Sequence, residues 1–175
     1  MTTVTISGLP GTGTTTISKL LEEKLGLKYV YSGDLFRKMA KEHNMSLAEF
    51  GKYCEEHKEI DQKLDEYQLE ILKEGNVIIE GRITGWIAHR NKIKSIKILL
   101  DAGLDTRVKR IVKRENGDVK KRKNEILIRE KSEATRYKNY YNIDLNDKSI
   151  YDIVIDSTDK TPEEIINIII KNIKK

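Results

Sequence analysis

The stretch Gly8-Leu9-Pro10-Gly11-Thr12-Gly13-Thr14-Thr15-Thr16 follows directly on a β-type run carrying Val4 and Ile6 and directly precedes a helical pattern. It matches the phosphate-binding pattern G-x-x-x-x-G-K-[ST] at every position but one, because Thr14 stands where the lysine belongs. Gly8, Gly11 and Gly13 let the backbone bend so that successive N–H groups face a polyphosphate. The helix starting near Thr14 adds the positive end of its dipole. Thr15 supplies the hydroxyl that such loops place on Mg²⁺. The side-chain charge that would reach the β- and γ-phosphates is missing.

Around this loop the chain reads as one domain, residues 1–175, long enough to bury a proper core. Charged residues make up 35% and apolar residues 38%, which suits a soluble protein with a heavily charged surface. Apolar runs are short and strand-like, such as Val77-Ile78-Ile79, and no signal peptide is visible, so no membrane partner is expected. A single cysteine, Cys54, excludes an internal disulfide and fits a cytoplasmic protein. The net charge of +5 is unevenly spread: Arg107 to Lys123 carry nine Lys/Arg against two acids. A protein that coats nucleic acid is basic along a whole face, whereas this surplus suits an anionic ligand met at one place; no stable nucleic-acid partner is expected.

Strands and helices alternate. Strands are predicted over 2–7, 28–31, 76–80, 95–100 and 151–156, and helices over 14–25, 35–43, 59–73, 106–115 and 125–141. Ser32 resembles an N-cap, Ser46 with Glu49 reads as a capping box, and Thr161-Pro162 opens the last helix. The alternation predicts an α/β fold, a mostly parallel sheet with helices on both faces. Two segments break the rhythm. Residues 34–73 hold several helices between the second and third strands, and the polar residues 115–124 read as a mobile loop.

A phosphate site without its lysine must find positive charge elsewhere. Arg107, Arg110 and Arg114 share one helix face, as do Arg129 and Arg136 two turns apart. Arginine's planar donor fork suits phosphoryl oxygens. Glu80 and Arg82 end the third strand, where ligands sit in open α/β sheets, and Glu80 there can hold a metal-bound water. Ser32, Gly33 and Arg37 follow the second strand in the same way. Trp86 reads as a core residue. Asp61 and Asp65 lie one turn apart on an acidic helix, and Asp61 is the candidate acceptor for a nucleobase amine.

ISGLPGTGTTT, SGDLFRKMA, IIEGRITGW, TRVKRIVKRE, IREKSEATRYKNYYNID and YDIVIDST occur in this order over essentially the whole chain. Together they resemble the archaeal-type cytidylate kinases, a branch of the nucleoside monophosphate kinases. The resemblance implies a three-layer P-loop fold with a five-stranded parallel sheet, a helical segment (34–73) that closes over the monophosphate, and a short lid (115–124). It implies ATP-dependent phosphorylation of CMP or dCMP with Mg²⁺; a monomer is expected. Alternatives are another acceptor, AMP or UMP, or an RNA-associated NTP-binding protein without phosphotransfer. By position, Gly8 to Thr16 with Arg107 and Arg110 would bind ATP, with Arg107 and Arg110 reaching it from the lid side. Thr15 and, through water, Glu80 would serve the metal. Ser32, Gly33, Arg37 and Arg82 would bind the acceptor, with Asp61, read from the residues alone, as the further candidate there. Arg129 and Arg136 would clamp the transferring phosphoryl group. Arg136, Arg129 and Lys19 are the candidates to replace the lysine.

Overall fold

The computed structural model describes residues 2–173. Strands β1 (Val4–Gly8), β2 (Lys28–Tyr31), β3 (Val77–Glu80), β4 (Ile96–Asp101) and β5 (Ile153–Asp156) form one parallel sheet in the order β2-β3-β1-β4-β5. Alternation along each strand divides the core between the two faces. Val4, Ile6, Ile78, Ile98, Leu100 and Ile155 pack on one side against Ile17 and Leu21 of α1 (Thr14–Leu25) and against Ile165, Ile166 and Ile169 of α8 (Pro162–Ile173). On the other side Ile79 meets Leu72 at the end of α4 (Lys58–Glu74) and Ile83, Trp86 and Ile87 around α5 (Thr84–Arg90). Trp86 is therefore a core residue, and α5 is a helix that sequence periodicity did not mark.

The segment between β2 and β3 holds three helices, α2 (Ser32–Glu42), α3 (Leu47–Cys54) and α4. They enclose a small core of their own built on Ala40, Phe50, Cys54, Ile60 and Leu64. Both bonds of the Ser46–Glu49 capping box form at the start of α3. Ser32 is a different case. It lies inside α2, whose cap is Tyr31, and its hydroxyl donates 2.8 Å to the Glu80 carbonyl instead of capping the helix. The 115–124 stretch also differs from expectation. α6 (Leu104–Glu115) and α7 (Val119–Tyr141) leave only Asn116 to Asp118 between them, because Asp118 caps α7 through Lys121 N at 2.8 Å.

The strand order reverses between β1 and β3: the chain leaves β1 toward β2 on one side and leaves β3 toward β4 on the other. The carboxyl ends of these neighbours, Gly8 and Glu80, therefore flank the crevice where open α/β sheets take their ligands.

Candidate functional site

Gly13 stands at the N-cap of α1 in the left-handed region (φ 97°), so the loop turns directly into the helix. Gly11 is also left-handed (φ +86°), and a Cβ there would meet the Arg107 carbonyl oxygen at 2.7 Å. A side chain at Gly11 would therefore clash as well as strain the backbone. Inside the bend, Thr12 N and Thr12 Oγ1 both donate to the Leu9 carbonyl, at 3.2 and 2.9 Å.

The loop's other carbonyls are held from outside by three arginines. Arg82 Nη1 donates to Gly8 O at 2.6 Å and Arg107 Nη1 to Pro10 O at 3.2 Å. Arg110 Nη1 reaches Gly11 O and Thr12 O, both at 3.4 Å, and Ser157 Oγ donates to Thr12 O at 2.8 Å. With its carbonyls engaged in this way, the loop presents N–H groups as its remaining backbone polarity, which favours an anion.

Thr14, in the lysine position, is buried, and its Oγ1 donates to Glu80 Oε1 at 2.6 Å. Thr15 Oγ1 donates to the same oxygen at 2.9 Å, and the Tyr29 hydroxyl bonds to Glu80 Oε2. Burial, with the Glu80 carboxylate beside it, raises the Tyr29 pKa, so the phenol stays protonated and donating. Glu80 itself is 3% exposed. The result is a cluster of hard oxygen donors at the foot of the loop, the donor type a magnesium ion takes.

Gly11, Thr12, Gly13 and Thr16 line a cavity of about 450 Å³ together with Arg110, Lys113, Arg114 and Lys160. Ser32, Gly33, Asp61, Arg82, Arg129 and Arg136 line a second cavity, joined to the loop by the Arg82 bond to Gly8 O. Glu133 knits that second cavity together: it pairs with Arg82 Nε at 2.7 Å and with Arg129 Nε at 2.9 Å. Burial pushes the Glu133 pKa up, but the two guanidiniums outweigh it and hold the carboxyl below its ordinary range. Arg136 is 3% exposed and pairs with equally buried Asp61. Asp61 is thus paired with an arginine through Oδ1, while its buried Oδ2 has no hydrogen-bond partner among the described residues.

Three expected site residues lie elsewhere. Arg107 does not reach over from the lid side. It is buried behind the loop, donating to Ala102 O at 3.0 Å and pairing with Glu130 as well as Pro10 O. Arg37 is exposed, 3.4 Å from Asp34 and 5.0 Å from the Tyr31 ring centre, and lines a separate surface hollow with Lys41. Lys19 is exposed on α1, whereas Arg82 is the cation bonded to the loop's first glycine. Glu133 and Tyr29 were not singled out from sequence. Glu133 carried a signal, lying one turn from Arg129 and one from Arg136, whereas nothing local marks Tyr29 as a partner of Glu80.

Known proteins share both the sequence and the fold of this chain. The model of the cytidylate kinase-like family matches residues 3–159. The chain is 51% identical to a cytidylate kinase of Methanocaldococcus jannaschii over 98% of its length and 99% of that protein's. It is 49% identical to one of Methanococcus vannielii, with the same coverage. A shikimate kinase of Bacteroides thetaiotaomicron shares the fold at a TM-score of 0.62 and 12% identity, over 99% of both chains. With a family model spanning nearly all of it and half its residues shared along the full length of such relatives, this chain belongs to the cytidylate kinase-like family.

Proposed function

We propose that the protein transfers the γ-phosphoryl group of ATP to CMP or dCMP. One observation carries the reading beyond family membership: the loop lines one cation-lined cavity, and Arg82, which lines a second, bonds the loop's first glycine, so two phosphorylated ligands can meet at one anion-binding loop. ATP occupies the cavity of Arg110, Lys113 and Arg114 with its phosphates on the amides of Gly8 to Thr16. The acceptor occupies the cavity of Ser32, Gly33, Arg82, Arg129 and Arg136. The three helices of 34–73 close over the acceptor, and the basic stretch 115–124 over ATP. The protein works in the cytoplasm as a monomer.

Catalysis in such a site is alignment plus charge. The attacking oxygen is already a phosphate oxygen, so no side chain needs to act as a base. Arg82 and Arg129, held in place by Glu133, set guanidinium donors against the phosphoryl oxygens, and Arg136 does so from its pair with Asp61. The Thr15 and Glu80 oxygens fit Mg²⁺, Glu80 acting through bound water; the ion, when bound, neutralises charge between the β- and γ-phosphates. Arg82, on the carbonyl of Gly8, is the best-placed substitute for the absent lysine. Coupled ADP-release assays over CMP, dCMP, UMP, AMP and GMP test the reading. Turnover highest with CMP or dCMP is expected, and turnover with none of the five overturns it.

A further inference from the structure

Three carboxylates line the acceptor cavity, and two of them are neutralised: Asp61 by Arg136, and Glu133 by Arg82 and Arg129. The third, Asp65, has no guanidinium or ammonium within salt-bridge distance among the described residues. The Gln68 amide donates to it at 3.3 Å, and the Tyr141 hydroxyl lies beside it. Gln68 has no freedom to turn elsewhere, since its Oε1 accepts from Thr84 Oγ1 at 2.7 Å and its Nε2 also reaches Leu64 O at 3.4 Å.

Asp65 and Ile83 also line an adjoining hollow of about 230 Å³ between α4, α5 and α7, whose other walls include Leu69, Trp86, Ile87 and Ile143. The Tyr141 side chain lines this hollow too, with its hydroxyl beside the Asp65 carboxylate. A hollow with mainly apolar walls, whose polar lining is Asp65 without a cation, the Tyr141 hydroxyl and the exposed Gln62, Glu66, Arg90 and Asn91, has the character of a site for a flat ring bearing polar edges.

We propose that Asp65 reads the base of the acceptor nucleotide, accepting a hydrogen bond from the exocyclic amine of cytosine in the slot walled by Ile83 and Trp86, and so favours CMP over UMP. This deepens the proposed function and rests on it. Cytosine offers an amine at the position where uracil offers a carbonyl oxygen. A carboxylate satisfies the first and sets lone pairs against the second. A buried polar group left unpaired by the wrong ligand is the strongest source of discrimination available to a binding site. Burial pushes the Asp65 pKa up to about 7. The groups around it are Asp61 and Glu66 on its own helix, Arg136 and Tyr141 on α7, and Arg90 of α5 at the rim of the slot. Once protonated, Asp65 donates, and a donor is what the uracil oxygen needs.

The test is Asp65→Asn, an isostere whose amide presents an acceptor or a donor equally, assayed with CMP and with UMP at saturating ATP. The expected result is a CMP/UMP ratio of kcat/KM that falls about 100-fold, with the KM for ATP unchanged. In the unmutated protein the ratio falls as pH drops below about 7, and in the variant that pH dependence is flat. A ratio reports on the folded fraction alone, so partial unfolding of the variant does not mimic the effect. An unchanged ratio, with CMP and UMP falling in parallel or not at all, overturns the assignment. Failure of the unmutated protein to use CMP strikes the proposed function itself and is read separately.

Discussion

Thr14 Oγ1 donates to Glu80 Oε1 at 2.6 Å across 66 residues of sequence, so the residue in the lysine position serves the acidic strand end rather than a phosphate. The threonine closes the base of the loop against β3, with Thr15 Oγ1 on the same oxygen. Arg82, just past β3, meanwhile bonds the Gly8 carbonyl at the other end of the loop.

Restoring the missing lysine is therefore predicted to harm the enzyme. An ammonium at position 14 lies within reach of Glu80, pairs with it, and displaces the Thr14 and Thr15 bonds that set the oxygen cluster. Thr14→Lys is expected to lower kcat about tenfold or more, roughly 1.4 kcal/mol of transition-state stabilisation. Steady-state kinetics over a range of Mg²⁺ concentrations check this, with the apparent magnesium requirement rising. A faster variant would mean that the site is short of positive charge and that Arg82 does not substitute for the lysine.

Arg129 and Arg136 look equivalent in sequence, two turns apart on one helix face, but their surroundings separate them. Arg129 is 31% exposed, and its partner Glu133 keeps Arg82 when Arg129 is removed. Arg129→Ala is expected to fold normally and lose about 100-fold in kcat, as removal of a donor to developing charge does. Arg136→Ala leaves Asp61 buried without its cation, at a cost of about 3–5 kcal/mol of stability. Urea unfolding alongside kinetics separates the two. A loss confined to KM for Arg129→Ala removes it from the transition state.

The elements were legible because their signals are local. The loop glycines, the capping box at Ser46 and Glu49 and the periodicity of α1 each sit within a few residues of one another. The short helix α5 was not marked, since its residues Thr84 to Ala88 are all buried and show no polar face to set a period. The site residues were recognised as charged groups near strand ends, but their partners were not. Arg82–Glu133, Arg136–Asp61 and Tyr29–Glu80 join residues 51 to 75 apart, and only the folded chain chooses among such pairings. That is why Asp61 looked free in the sequence, whereas Asp65 is the acid of that cavity left without a cation among the described residues.

Arg107 makes a further distinction between holding the loop and holding the ligand. Its guanidinium joins Ala102 O, Pro10 O and Glu130, and its backbone carbonyl faces the spot where a Gly11 side chain would go. Arg107→Met removes the bonds to the loop and leaves Glu130 unpaired. The expected outcome is a lower Tm and a KM for ATP raised about tenfold, while the KM for CMP stays put. Equal rises in both KM values would place Arg107 in general stability rather than in shaping the loop.

Asp65 also makes stability depend on pH in a direction opposite to that of most carboxylates. Burial raises its folded pKa to about 7, against about 3.9 for an unfolded chain. Between those values the native state binds a proton that the unfolded state has released, so this group's contribution to stability declines as pH rises from about 4 to about 7 and is flat above. Asp65→Asn cannot ionise and removes that slope. The variant is therefore expected to gain on the unmutated protein across this window, ending about 2 kcal/mol more stable near pH 8, after discounting for partial exposure. Urea midpoints at a series of pH values, with unchanged m, measure the difference. A pH-independent gap between the two proteins would show that Asp65 ionises at its ordinary value and that the slot around it is wetter than its apolar walls imply.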